Sequence, residues 1–208
     1  MKIKMFIDFD NTLFDTRKLK KDLFAVFSRY GFKEEEISST YKKACEDYIY
    51  SPSEHADELY KIKPFDKKKA ESELDELYKN IPEYLFNDSI DFLKNLDKDK
   101  FEINLLTLGD LDFQKKKVDF SNISKYFENI YYCKDQKWIF LKTLVEPNEK
   151  FYIIDDRGDA LFEISKDFKL SSTIEINRAS KPLDNMEQPA PYEGIKVKNF
   201  AEAMPYLK

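Results

Sequence analysis

Several residue types are scarce in this 208-residue chain, and each shortage narrows its class. There are two cysteines, one histidine and four glycines. Cys45 and Cys133 show neither CxxC spacing nor a neighbouring histidine cluster, which argues against a disulfide framework and against a Cys/His zinc site. Free thiols are the expectation. No run approaches 18 consecutive apolar residues, so no membrane-spanning helix is predicted, and the N-terminal segment enters an apolar strand without a cleavable signal pattern. The chain reads as soluble and cytoplasmic. It also lacks an excess of positive charge: 35 basic against 40 acidic residues leave a net charge of -5. The lysines are scattered through helical-looking segments instead of forming a basic block, so neither nucleic acid nor a membrane is an expected partner.

Hydrophobic residues make up 42% of the chain and charged residues 36%, a globular composition in which 18 Phe and 13 Tyr supply bulk where glycine is scarce. The length suits one domain with an insertion, or two small domains, and a monomer or homodimer is expected. Residues 3–7 read as a buried strand. From about 18 to 86 the period becomes helical: Leu19, Leu23, Phe24, Val26 and Phe27 share a face, then Ile37, Tyr41, Ala44 and Cys45, then Leu74, Leu77, Tyr78 and Ile81. Breaks at Ser51-Pro52-Ser53-Glu54 and Lys63-Pro64-Phe65-Asp66 suit turns or helix starts, giving about four helices with no strand.

Beyond this stretch, strand and helix alternate. Strands are predicted at 101–107, 129–133, 151–154, 174–176 and 195–197, with helices near 89–96, 112–118 and 136–145 between them. That alternation argues for an α/β fold with a doubly wound parallel sheet. In such a sheet ligands sit beyond the carboxyl ends of the strands, so what each strand carries at its exit matters most. The first carries Asp8 and Asp10, the second Thr107, and the strand ending at Ile154 carries Asp155 and Asp156. Asp8 and Asp10 leave one strand two residues apart and can reach one small volume, where two carboxylates repel unless a cation or shared proton intervenes. Mg²⁺ suits such a site because it binds one or two carboxylates with water and phosphate oxygens. A solvated Asp/Asn turn fits the first pentapeptide equally well, and a threonine bonded to its own backbone fits Thr107. Adjacent carboxylates after four apolar residues are harder to explain as plain surface.

Asp8-x-Asp10-x-Thr12-Leu13 after an apolar strand resembles the first motif of the haloacid dehalogenase (HAD) superfamily. Thr107 resembles its second motif, and Phe151-Tyr152-Ile153-Ile154-Asp155-Asp156-Arg157-Gly158-Asp159 its fourth. Lys134 takes the place of the third-motif lysine. Family members often show Lys-Pro there, whereas this chain has Lys134-Asp135, and Lys137 competes with it; an ordinary surface lysine is the other reading. The resemblance covers residues 1–16 and about 87–208. It implies a Rossmann-like core of those residues and a helical cap of 17–86, joined by two linkers at which a hinge costs little packing. It implies a Mg²⁺-dependent phosphatase for a small phosphorylated metabolite, with a phosphomutase or a non-catalytic phosphate-binding protein as alternatives.

The roles it implies are Asp8 as nucleophile, Asp10 as proton donor and acceptor, and Thr107 and Lys134 as catalytic groups holding the phosphoryl charge. Metal ligands would come from Asp8, Asp10 (through its carbonyl), Asp156 as the better of the adjacent pair, and Asp155. Thr12, Gly109, Arg17 and Arg157 are candidate substrate contacts, although ion pairing with nearby acids explains the arginines equally well. Haloacid dehalogenases, whose leaving halide needs no proton, lack an acid at the place of Asp10, so the resemblance favours phosphoryl transfer. His55 reads as a solvated or helix-capping histidine, and Trp138 as core.

Overall fold

The computed structural model describes residues 2–46, 49–178 and 192–207. The remaining positions, which the expected division assigns to core or insertion, lie outside the described residues. The first strand, β1 (Ile3–Ile7), is followed by α1 (Thr16–Ser28), α2 (Glu34–Lys43), the short antiparallel pair β2 (Cys45–Glu46) and β3 (Ile49–Tyr50), α3 (Pro52–Ile62) and α4 (Lys67–Tyr78). Then come α5 (Ser89–Asn95), β4 (Phe101–Leu108), α6 (Leu111–Ser121), β5 (Asn129–Cys133), α7 (Lys137–Leu141), β6 (Phe151–Asp155), α8 (Gly158–Asp167), β7 (Ser172–Ile176), β8 (Ile195–Val197) and α9 (Phe200–Ala203).

Six strands form one parallel sheet in the order β5-β4-β1-β6-β7-β8. Strand alternation sends successive residues to opposite faces, and both faces are covered by helices, so the strands read as near-continuous apolar runs. Met5, Ile7, Ile103, Leu105, Tyr152 and Ile154 belong to one cluster, with Phe92 and Phe200 stacked at 3.9 Å beneath it. Phe6, Leu106, Phe151 and Ile153 belong to the other, with Leu141 of α7 and Leu161 and Ile164 of α8. Trp138 packs against this second cluster.

Both breaks expected around Pro52 and Pro64 are helix starts: Ser51 caps α3, with Pro52 in its first turn, and Asp66 caps α4. The helical stretch differs from expectation in containing β2 and β3, whose two-residue length is too short to show alternation. His55 is neither solvated nor a cap. It lies with Ala56 and Leu59 on the buried face of α3, its Nε2 donating to the Ile37 carbonyl at 3.0 Å and its Nδ1 accepting from the Tyr50 hydroxyl at 3.0 Å. Burial pushes its pKa down to about 4, which keeps the ring neutral.

The linkers are tighter than the sequence suggests. Leu13 and Phe14 are fully buried, and Phe14 stacks on Phe9 at 4.8 Å. The outgoing and returning chains pair, Asp15 N–H donating to the Tyr84 carbonyl at 2.7 Å and Phe86 N–H to that of Leu13 at 3.0 Å. Arg178 adds a clamp, donating from Nε to the Thr12 carbonyl and from Nη1 to Asp88 while its guanidinium lies over Phe86 and Phe200. A hinge here would cost packing, because the apolar sides of α1, α2, α3 and α4 join the same cluster as the first sheet face.

Candidate active site

The chain builds outward from β1 through β4 to β5, then crosses back to β6 on the other side, so the topology switches beside β1. A crevice opens at the carboxyl ends of strands at such a point. Asp8 follows β1 directly, its N–H bonded to the Ile154 carbonyl of β6 at 2.9 Å. Thr107 lies near the end of β4, and Asp155 closes β6.

Oxygens of Asp8, Asp155 and Asp156 lie within 4.8 Å of one another. One cation stands among them. Lys137 Nζ bonds Asp8 Oδ1 at 2.5 Å and Asp155 Oδ2 at 2.6 Å, and its side chain is only 5% exposed. The lysine at the site is therefore Lys137, whereas Lys134 is exposed. The reason is local: β5 ends at Cys133, residues 134–136 make the bend, and α7 begins at 137, so the first helical residue is the one placed over the crevice.

Three carboxylates against one ammonium leave excess negative charge in a buried place. Burial, with the Asp155 and Asp10 charges, pushes the Asp8 carboxyl up to about 7 despite Lys137. Asp156 is raised well above the usual range by burial, then by Asp8 and Asp155. Burial works against the Lys137 ammonium, but Asp155 and Asp8 outweigh it and raise its pKa. Asp8 Oδ2 is buried without a hydrogen-bond partner. This donor set, all oxygen and under-neutralised, fits a hard divalent cation held by Asp8, Asp155 and Asp156. Asp155 also accepts from the Arg157 backbone N–H at 2.9 Å, and Asp156 accepts from the Asn11 side chain. Asn11 stands in the left-handed region at φ 56°, which asparagine tolerates better than most residues.

The Asp10 side chain belongs to a different group. Its Oδ1 accepts from Thr16 Oγ1 and from Lys117 Nζ, each at 2.5 Å, and its Oδ2 from Gln114 Nε2 at 2.7 Å. Burial alone would raise its pKa, yet Lys117 and these three bonds hold it below the ordinary carboxylate range. Gln114 Nε2 also donates to the Leu108 carbonyl at 2.8 Å. The amide fits there because position 109 is glycine: a Cβ on Gly109 would overlap it. Gly109 thus supports the site through space it leaves empty.

Of the other candidates, Thr12 and Thr107 are fully buried with hydroxyls that have no hydrogen-bond partner. Arg157 forms an ion pair with Asp159, one of the two readings left open for it. Arg17 lies in the first turn of α1, next to Thr16. Lys117 and Gln114 were not legible as site residues, since Lys115-Lys116-Lys117 reads as a solvated run. The available signal was periodicity: Phe113, Gln114, Lys117, Val118 and Ser121 all fall on the buried face of α6.

Comparison with known proteins agrees with this fold. The family model of haloacid dehalogenase-like hydrolases matches residues 5–151. No curated protein matches in sequence. A Burkholderia xenovorans structure assigned as a haloacid dehalogenase-like hydrolase superposes with a TM-score of 0.78 at 16% identity, covering 98% of this chain and 95% of its own. A Thermotoga maritima protein assigned as a β-phosphoglucomutase gives 0.68 at 17% identity, over 100% and 98% of the two chains. An L-2-haloacid dehalogenase from Xanthobacter autotrophicus, with chloropropionic acid covalently bound, gives 0.64 at 13% identity, over 100% and 98%. At these identities the structures attest the fold, while the family model spans most of the sequence. The chain belongs to the haloacid dehalogenase-like hydrolases.

Proposed function

We propose that this hydrolase is a Mg²⁺-dependent phosphatase acting on a small phosphate monoester through an aspartyl-phosphate on Asp8. The observation that carries the reading is the cluster of Asp8, Asp155 and half-buried Asp156, the first two buried and sharing Lys137, a donor set that suits a divalent cation. Mg²⁺ held there would neutralise charge on the phosphoryl oxygens. Asp8, oriented by Lys137, attacks phosphorus, and the bond to the leaving oxygen breaks as the Asp8–phosphorus bond forms, the electron pair staying on that oxygen, which takes its proton from Asp10. The unpartnered Thr107 hydroxyl is a spare donor for a phosphoryl oxygen. In the second displacement water attacks phosphorus and Asp8 is regenerated, with Asp10 taking the water proton. Residues 17–86 act as the cap that excludes bulk water and selects the leaving group, which favours small metabolites over phosphoproteins.

A second reading, hydrolytic dehalogenation, comes from the L-2-haloacid dehalogenase among the similar structures, with Asp10 counting against it. A panel of phosphorylated metabolites and 2-haloacids, with and without Mg²⁺, separates the two. Metal-dependent release of inorganic phosphate is expected. Halide release without phosphate release would overturn the proposal, and conversion of one phosphate ester to its isomer would make the chain a mutase.

A further inference from the structure

On its buried face α6 turns Gln114 and Lys117 toward Asp10. Lys117 is 2% exposed, and its Nζ lies 4.9–5.6 Å from the centres of the Phe9, Phe14 and Phe113 rings while bonding Asp10 Oδ1. A lysine packed in this way cannot follow a moving carboxylate. Gln114 has two acceptors before its amide nitrogen, Asp10 Oδ2 and the Leu108 carbonyl, so its orientation is determined. An ionised carboxylate offers about two lone-pair sites per oxygen. Lys117 and Thr16 fill those of Oδ1, and Gln114 takes one of those on Oδ2. One acceptor site remains, on a carboxylate that cannot rotate.

We propose that Lys117 and Gln114 are positioning residues that fix Asp10 as the base for hydrolysis of the aspartyl-phosphate, an inference that rests on the phosphatase reading above. In that step a water oxygen attacks phosphorus, and the phosphorus–oxygen bond to Asp8 breaks with its electron pair returning to the Asp8 carboxylate. The water proton passes to the free site on Asp10 Oδ2. Formation of the intermediate from an ester with a good leaving group needs no proton and does not depend on the clamp. The clamp therefore acts on one half of the reaction. Its sequence basis is the pair Gln114 and Lys117, one turn apart on α6, together with Gly109.

Rapid mixing of the Mg²⁺-loaded full-length protein with 4-nitrophenyl phosphate tests this. Lys117→Met should lower steady-state turnover about a hundredfold, the usual cost of a misplaced catalytic group. It should leave a burst of nitrophenolate approaching one equivalent per enzyme, as phosphoryl-enzyme accumulates. Gln114→Leu, which removes one neutral donor and keeps the Asp10 ion pair, should show the same split more weakly, and it carries the test if Lys117→Met does not fold. Proportional loss of both phases in the folded variants, or an unchanged steady state, overturns the inference while leaving the phosphatase reading intact. If the wild-type protein releases no nitrophenolate while Asp8→Asn matches it, the phosphatase reading fails and this inference with it.

Discussion

Asp8 and Asp10 stand two residues apart on the same loop and meet opposite environments. Asp8 shares one lysine with Asp155, lies beside Asp156, and keeps an oxygen without a partner. Asp10 has a buried lysine of its own, a hydroxyl and an amide. The first carboxyl is pushed up to about 7 and the second is held below its ordinary range. The difference shows how one residue type is fitted for two tasks. Asp8 is left short of positive charge, as a cation site would be, while Asp10 is held in place by three protein donors and keeps one acceptor site open.

Turnover should separate the two carboxylates most sharply. Asp8→Asn keeps the shape and removes the attacking charge, so activity should fall by at least about a thousandfold with the fold intact. Substantial residual phosphate release from the purified variant would show that Asp8 is not the nucleophile. In stability the two positions should move in opposite directions. Asp10→Asn leaves Lys117 buried without its counter-ion and should cost roughly 3 kcal/mol, measured by denaturant unfolding without metal. Asp8→Asn relieves repulsion among three carboxylates and should stabilise the metal-free protein by about 1 kcal/mol. Equal losses at both positions would erase the distinction.

A smaller effect should follow pH. Because the folded Asp8 carboxyl titrates near 7 and the unfolded one near 3.8, the folded state holds more protons between those values. Its contribution is complete below about pH 4 and is lost as pH rises through 7, which makes metal-free stability decline across that window. Asp8→Asn should flatten this decline relative to the wild-type protein, and saturating Mg²⁺ should reverse it. The His55 ring contributes in the other sense. Its folded pKa of about 4 lies below the unfolded 6.5, so stability is complete above 6.5 and falls as pH drops toward 4. His55→Gln would remove that second slope and sharpen the first, and thermal melts of the wild-type protein and these two variants across pH 4 to 7 read both.

The strand exits were legible because the carboxyl end of a parallel strand is a fixed place once the strand is identified. Asp8, Thr107 and Asp155 follow from counting along β1, β4 and β6. The lysine was harder. Lys134 and Lys137 differ only by a three-residue bend whose conformation no periodicity encodes, and α7 is five residues long. Lys117 was hidden by its neighbours, since a run of three lysines on a helix looks solvated unless the apolar stripe is followed through it. The linkers misled for another reason: a break in period looks slack, but the pairing of Leu13 and Asp15 with Phe86 and Tyr84 joins segments about 70 residues apart.

Periodicity and strand polarity are local properties, so the alternation of strand and helix, the parallel sheet it requires, the acids at the exits of β1 and β6 and the threonine at that of β4 could be read from the residues alone. Which lysine neutralises Asp8, that α6 holds the Asp10 carboxylate, and that His55 is a neutral core residue depended on the packed fold. Those outcomes depend on which charges are brought within about 3 Å of one another and removed from water, and both the strength of a charge pair and its protonation state are functions of that distance and burial.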